Sequence, residues 1–237
     1  MKSLKNSLIR ALILGAKRFG SAVGMTRARR VGRVIGTLVY YLITRERKVA
    51  FSNIRRAFPD LGEKEANGLV LATSRHLGES LLELTALETM SDDELRSVTV
   101  IRGGEYLKDA VATNRGVVIF SGHIGNWEWL AIATHLLGLR MMTVARKLYD
   151  ERLNELIVSS RSRFGVETIG RGSESSALAV MKTLRRGGIL AVLIDQSIRT
   201  PSVLVPFFGD PAPTPSSGIR RPGAEPPLCA DNGVARS

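Results

Sequence analysis

His123 and Glu128 stand five residues apart in the stretch Asn114 to Glu128, NRGVVIFSGHIGNWE. An imidazole takes up a proton near neutral pH. A carboxylate beside it fixes its tautomer and supports the charge it gains, so the two together activate a hydroxyl as a nucleophile. On one continuous helix side chains at this spacing would point apart. Gly122 and Gly125 loosen the chain around His123, and a turn there folds the imidazole back onto the carboxylate. The competing reading is a histidine that merely caps a helix.

The neighbouring elements favour a turn. Val117, Val118, Ile119 and Phe120 form a short, β-branched apolar run that reads as a buried strand, broken by Ser121 and Gly122. From Trp127 the apolar spacing becomes helical, through Leu130, Ala131 and Leu137, until Gly138 stops it, with Asn126 where an N-cap belongs. His123 therefore falls in a strand-to-helix turn and Glu128 in the first helical turn. Ser121 is not in a Gly-x-Ser-x-Gly elbow, so it is a poor candidate for an acyl-enzyme nucleophile.

The heptapeptide Gly122–Glu128, GHIGNWE, resembles the histidine–four residues–acid motif of the lysophospholipid acyltransferase superfamily, in the form typical of lipid A biosynthesis acyltransferases. Arg47, Asn53, Phe58 and Pro59 are similar to the segment that precedes the catalytic domain in that family. Asp195 and Gln196 resemble its Asp-Gln pair after a core strand, and Pro206 to Gly209 match its next signature. The likeness runs from about Arg47 to Ser217.

Alternating patterns place these residues. Glu63 to Met90 has helical spacing through Val70, Leu77, Leu81, Leu84 and Leu87, and His76 within it reads as a packed or surface histidine. Strands are expected at Met141–Ala145, Val166–Ile169 and Ile189–Ile194, with helices ending at Phe164 and spanning Ala177–Leu184. Such alternation argues for an α/β domain. If the strands are mutually parallel, His123, Arg146 and Asp195 all follow strand ends at one sheet edge, where α/β proteins gather their sites. Asp195 as a helix cap or ion-pair partner is the competing reading. Arg161 lies on the apolar stripe of its helix with Leu153, Leu156, Ile157 and Phe164, so it needs a counter-charge, either a carboxylate or a substrate phosphate.

The formal charge of +12 is the compositional outlier, and it is concentrated early. Up to Pro59 there are fourteen Lys or Arg and one acid, Glu46. Leucine, isoleucine, valine and tyrosine are threaded among them. The longest uncharged stretch, Val34–Thr44, is far short of the roughly 20 residues of a spanning helix. A basic apolar segment of this kind suits an interface with anionic lipid, and a solvated arm touching nucleic acid is the weaker alternative. One cysteine, Cys229, gives no internal disulfide, and His76, His123 and His135 have no metal-ligand spacing.

The resemblance implies an α/β fold with a mixed, largely parallel sheet flanked by helices, like that of glycerolipid acyltransferases, after a membrane-associating helical region. It divides the chain into a basic apolar region at 1–59, an acyltransferase domain at 60–216 and a tail at 217–237. Thr214 to Gly218 resembles the entry to a further helix. The proline-rich residues after about Ser216 lack a periodic apolar face and read as a disordered, frameshifted or aberrant tail, leaving the domain incomplete with an unpaired sheet edge. In activity the resemblance implies O-acyl transfer from an acyl thioester, on acyl carrier protein or coenzyme A as co-substrate, to a lipid-linked sugar or phospholipid, at the cytoplasmic face of a bacterial inner membrane. No cofactor, metal or nucleic acid is expected. His123 and Glu128 would be the catalytic pair, with Arg146, Arg161, Arg163, Asp195 and Gln196 on substrate. Gly122, Gly125 and Asn126 would shape the turn and free backbone N–H groups for an oxyanion.

Overall fold

The computed structural model describes residues 2–147, 150–171, 174–196 and 202–215. Five helices come first: α1 (Lys2–Leu42), α2 (Thr44–Ala57), α3 (Glu63–Leu87), α4 (Asp92–Val98) and α5 (Gly104–Ala112). An alternating unit follows, β1 (Val117–Ser121), α6 (Trp129–Leu136), β2 (Met141–Ala145), α7 (Glu151–Arg163), β3 (Val166–Gly170), α8 (Glu174–Arg185) and β4 (Ile189–Leu193). Last come β5 (Ser202–Phe207) and β6 (Asp210–Pro215).

The α/β expectation holds, with one change of detail. β1 to β4 form a four-stranded sheet in the order β1-β4-β2-β3, and every pair in it is parallel. β5 and β6 do not join it; they pair antiparallel in a separate ribbon. The mixed character is therefore divided between two sheets. Pro206, Pro211, Pro213 and Pro215 sit in this ribbon, where each strand has an open edge and a missing N–H is tolerated. Phe208 and Gly209 close it with φ of 49° and 82°, the left-handed pair of a tight hairpin turn. Thr214 and Pro215 end β6 and do not enter a helix, while the rest of that expected helix and the 217–237 tail lie outside the described residues.

The core lies between one face of the sheet and the helices. Ile132 and Leu136 of α6, Leu87 of α3 and Leu95 of α4 meet Met141, Val166, Ile189 and Ala191 from the strands. β1 is an edge strand, and the period of two shows in it: Val117 and Ile119 pack on the core, whereas Val118 and Phe120 are 40% and 49% exposed.

α1 breaks at Gly24, whose φ of 74° and ψ of 165° are not helical, and it lies along α3. Gly20, Ala28, Gly32 and Gly36, spaced by multiples of four, are all buried. A methyl group at Gly32 would strike the Gly78 backbone, one at Gly36 the Ser74 backbone, and one at Gly20 the Thr85 side chain. This stripe of small residues lets the two helix backbones approach closely. Acids of α3 and its C-cap then face bases of α1: Glu79 with Arg33 at 3.1 Å, Glu83 with Arg29 at 3.7 Å and, at the cap, Glu88 with Lys17 at 2.6 Å. Part of the early positive charge is thus spent inside the protein, and the α1–α3 packing crosses the boundary expected at Pro59.

No described helix is long and apolar enough to cross a membrane. α2 buries none of its residues, and Val34, Leu38, Tyr41, Leu42 and Val49 stand exposed near it. Phe58 stacks edge-on against Phe208 of the hairpin at 5.1 Å, and Arg56 pairs with Asp210, joining α2 to the ribbon.

Candidate active site

Because β1, β4 and β2 are parallel neighbours, Ser121, Leu193 and Ala145 end at one edge of the sheet. His123, Asp195 and Arg146 follow them there. The ladder continues one step past β1 and β4, with the Ile194 N–H donating to the Ser121 carbonyl at 3.1 Å, and this brings the two loops together. Asp195 then grips His123 twice: Oδ2 accepts the His123 backbone N–H at 2.6 Å and Oδ1 faces the ring Nδ1 at 2.7 Å. A side chain at Gly122 would begin only 3.0 Å from Asp195 Oδ2, so glycine is what admits the carboxylate. Trp127 packs edge-on to the imidazole at 4.8 Å, and the His123 side chain keeps 25% of its surface exposed.

An ionised carboxylate only accepts, so the hydrogen between the two groups is on Nδ1, which donates; in the neutral ring this tautomer leaves the lone pair on Nε2. Burial alone would raise the Asp195 carboxyl, but hydrogen bonds from the His123 ring and backbone outweigh it and hold Asp195 below the usual carboxylate range. A carboxyl depressed by folding stabilises the fold above its unfolded pKa, about 3.9, and ceases to do so as pH falls through the lower folded value. Asp195→Asn is therefore expected to be less stable than the parent near neutral pH, with the gap closing below about pH 4. Urea unfolding at both pH values measures this; a gap that stays constant down to acid pH would refute it.

The expected His123–Glu128 contact is not made. Glu128 binds Arg161 instead, Oε1 accepting from Nη2 at 2.6 Å and Oε2 from Nε at 3.3 Å. Two physical reasons account for this. Asp195 already occupies Nδ1, and Arg161, only 21% exposed, requires the counter-charge that its place on the α7 apolar stripe demanded. The helix also starts later than its spacing suggested. Trp129 and Leu130 donate to the carbonyls of Asn126 and Trp127 at 3.1 Å each, so residues 126–129 wind in a tighter turn, and α6 begins at Trp129 with Glu128 before it. Of the two partners left open for Arg161, the structure supplies the carboxylate.

Asn126 does not cap α6. Its Nδ2 donates to Glu83 Oε2 at 2.9 Å and to the Ser80 carbonyl at 3.3 Å, and Trp129 Nε1 reaches the same Glu83 oxygen at 3.3 Å. Gly125 takes φ of 61°, the left-handed conformation its loop position calls for. The His123 N–H, one amide of the turn, is engaged by Asp195 and faces no open space for an oxyanion. Arg163, just before β3, donates to the Met90 carbonyl and lies over the Phe164 ring at 5.2 Å, so it is not brought to His123. Arg146 and Gln196 are exposed at the strand-end edge.

Between α6 and the sheet is a cleft of about 50 Å³ whose walls include Trp127, Glu128, Leu130, Thr143, Arg161 and Leu193. Its lining is largely apolar, with the Glu128–Arg161 pair as its charged element. Sequence reasoning passed over Glu83, whose only signal was an acid set among Leu81, Leu82, Leu84 and Leu87. A chain with these features can hold a neutral imidazole in one tautomer, reachable from solvent, beside an apolar cleft with a fixed cation.

Residues 5–220 match the family described as bacterial lipid A biosynthesis acyltransferase. Among curated proteins, the chain is 25% identical over 181 residues to the lipid A biosynthesis palmitoleoyltransferase of Escherichia coli, covering 75% of this chain and 57% of that one. It is 27% identical over 151 residues to a phosphatidylinositol mannoside acyltransferase of Mycobacterium tuberculosis, covering 62% and 48% respectively. The Haemophilus influenzae lipid A biosynthesis acyltransferase is 25% identical over 195 residues, covering 80% of this chain and 60% of its own length. The chain spans about half the length of the curated relatives it matches. With the family match extending over nearly all of its length, the chain belongs to the bacterial lipid A biosynthesis acyltransferase family.

Proposed function

We propose that the chain transfers a fatty acyl group from a thioester, on acyl carrier protein or coenzyme A, to a hydroxyl of a lipid acceptor. The acceptor is a lipid A precursor or a related glycolipid or lysophospholipid. The observation that carries this reading is the His123 imidazole at the end of the parallel sheet, with Nδ1 held by Asp195 at 2.7 Å and Nε2 left to exchange a proton. Nε2 takes the proton of the acceptor hydroxyl as its oxygen attacks the thioester carbonyl. Collapse of the tetrahedral intermediate breaks the carbon–sulfur bond, and the leaving thiolate recovers the proton from His123. Asp195 holds the tautomer and supports the transient imidazolium.

Arg161 is paired with Glu128 on the wall of the cleft, and in this reading it also meets a phosphate of the substrate there. Support for a lipid acceptor comes from the N-terminal helices, where exposed Val34, Leu38, Tyr41, Leu42 and Val49 adjoin the basic run of α2. Such a surface rests in the headgroup region and does not span the bilayer. In this reading the protein works at the cytoplasmic face of a bacterial inner membrane, where acyl thioesters are made.

The deciding experiment incubates the purified protein with labelled acyl carrier protein and, separately, labelled acyl coenzyme A, in vesicles containing lipid A precursors or lysophospholipids. Label is expected in the lipid fraction with at least one donor. Thioester consumed only to free fatty acid, or no turnover by folded protein with either donor, would overturn the reading.

A further inference from the structure

We propose that Glu83 is a positioning residue for His123, fastening the turn from Gly122 to Glu128 to α3 and, through Arg29, to α1. The proposal rests on the acyl-transfer reading for its kinetic consequence, but not for its structural one. Glu83 is 7% exposed, on a helix that supplies none of the motif residues. Its two oxygens are divided between two directions. Oε2 accepts from Asn126 Nδ2 at 2.9 Å and Trp129 Nε1 at 3.3 Å, both on the far side of the turn. Oε1 faces the Arg29 guanidinium of α1 at 3.7 Å.

A carboxylate at such a place is a poor choice for stability, since a leucine, as at the adjoining positions 82 and 84, would avoid desolvating a charge. What it supplies is direction. The turn contains Gly122 and Gly125, the latter at positive φ, and is too permissive to fix its own shape. Glu83 holds the residues on both sides of Trp127, and Trp127 packs against the imidazole at 4.8 Å. The path to the reacting nitrogen therefore runs from Glu83 through Asn126 and Trp129 to Trp127 and His123. One carboxylate oxygen thus accepts from both residues, while Asn126 Nδ2 also reaches the Ser80 carbonyl.

The chain has two tryptophans, Trp127 in this turn and Trp129 at the start of α6 directly after it, so intrinsic emission reports on the turn without any substrate. The experiment compares the full chain with Glu83→Ala, Glu83→Gln and, as a packing control, Val70→Ala, at a buried site of α3 about 20 Å along the helix from Glu83. For each, emission is recorded across about pH 5 to 8, where imidazoles change charge, together with kcat and KM. In the parent, quenching of emission at acid pH is expected, and loss of it in His123→Ala assigns the signal. Glu83→Ala is expected to red-shift emission, to remove most of the pH-dependent quenching, and to lower kcat by about a hundredfold with KM little changed. Glu83→Gln keeps an acceptor for the turn and is expected to restore most of both. Val70→Ala is expected to lower stability alone. Unchanged emission and quenching in Glu83→Ala would overturn the proposal, as would the same optical change in Val70→Ala. If the parent transfers no acyl group, the acyl-transfer reading fails while the optical comparison still decides whether Glu83 sets the turn.

Discussion

Alanine at His123 is expected to lower kcat/KM for acyl transfer by about a hundred- to ten-thousandfold, the range a general base supplies. The substitution removes the group at the strand-end edge that Asp195 holds in one tautomer and that is open to an acceptor hydroxyl. Its structural cost is small, because the ring is partly exposed and Asp195 keeps its bond to the backbone N–H of residue 123. Steady-state rates on folded variants measure it; a His123→Ala protein with parental turnover would end the case for this base. The sharper discrimination lies between the two acids. Asp195 accepts with both oxygens, and asparagine offers only one acceptor. In Asp195→Asn either the backbone N–H or the ring is turned toward an amide NH₂, which favours the tautomer with hydrogen on Nε2. A loss comparable to His123→Ala is expected there. Glu128→Gln keeps an acceptor for Arg161, so a smaller loss, seen mostly in KM, is expected. The reverse ranking would restore Glu128 as the partner of His123.

The helix over Glu63–Leu87 and the order of elements from Val117 to Leu193 were legible because apolar periodicity changes from helical to strand spacing where Gly and charged residues punctuate it, whereas the short helices α4 and α5 between them were not read. The strand Met141–Ala145 and the turn around His123 were read directly from such changes. What decides the partner of His123 is the sheet order β1-β4-β2-β3, which places Asp195 beside His123 from a strand more than seventy residues later in sequence. Local spacing holds no record of that order, so the nearby acid, Glu128, looked like the partner. The requirement that Arg161 find a counter-charge was readable, but the identity of the counter-charge was not, for the same reason. The hairpin at 202–215 was hidden by its prolines, which argue against a strand unless the ribbon has open edges. Small residues spaced by multiples of four in α1 were present in the sequence among louder basic and apolar signals.

Leucine at Gly78 is expected to destabilise the protein by about 3 kcal/mol or more, beyond ordinary overpacking, because the obstacle is backbone. A Cβ there would overlap the Gly32 carbonyl oxygen, and the reciprocal contact holds at Gly32 against Gly78. Neither helix can yield by rotating a side chain; α1 and α3 must separate. The comparison that isolates this cause is Gly68→Ala, on the same helix with nothing within 4 Å of the added methyl. Helix propensity favours alanine there by about 1 kcal/mol, so Gly68→Ala should be neutral or stabilising while Gly78→Ala destabilises. Equal effects at the two sites in urea unfolding would remove close packing as the explanation. Gly32→Ala with Gly78→Ala should cost less than the sum of the two, since one separation of the helices relieves both clashes. Separation would also pull Arg29 from Glu83 and loosen the support of the turn that carries His123, so in these variants transfer activity is expected to fall even at temperatures where the sheet remains folded.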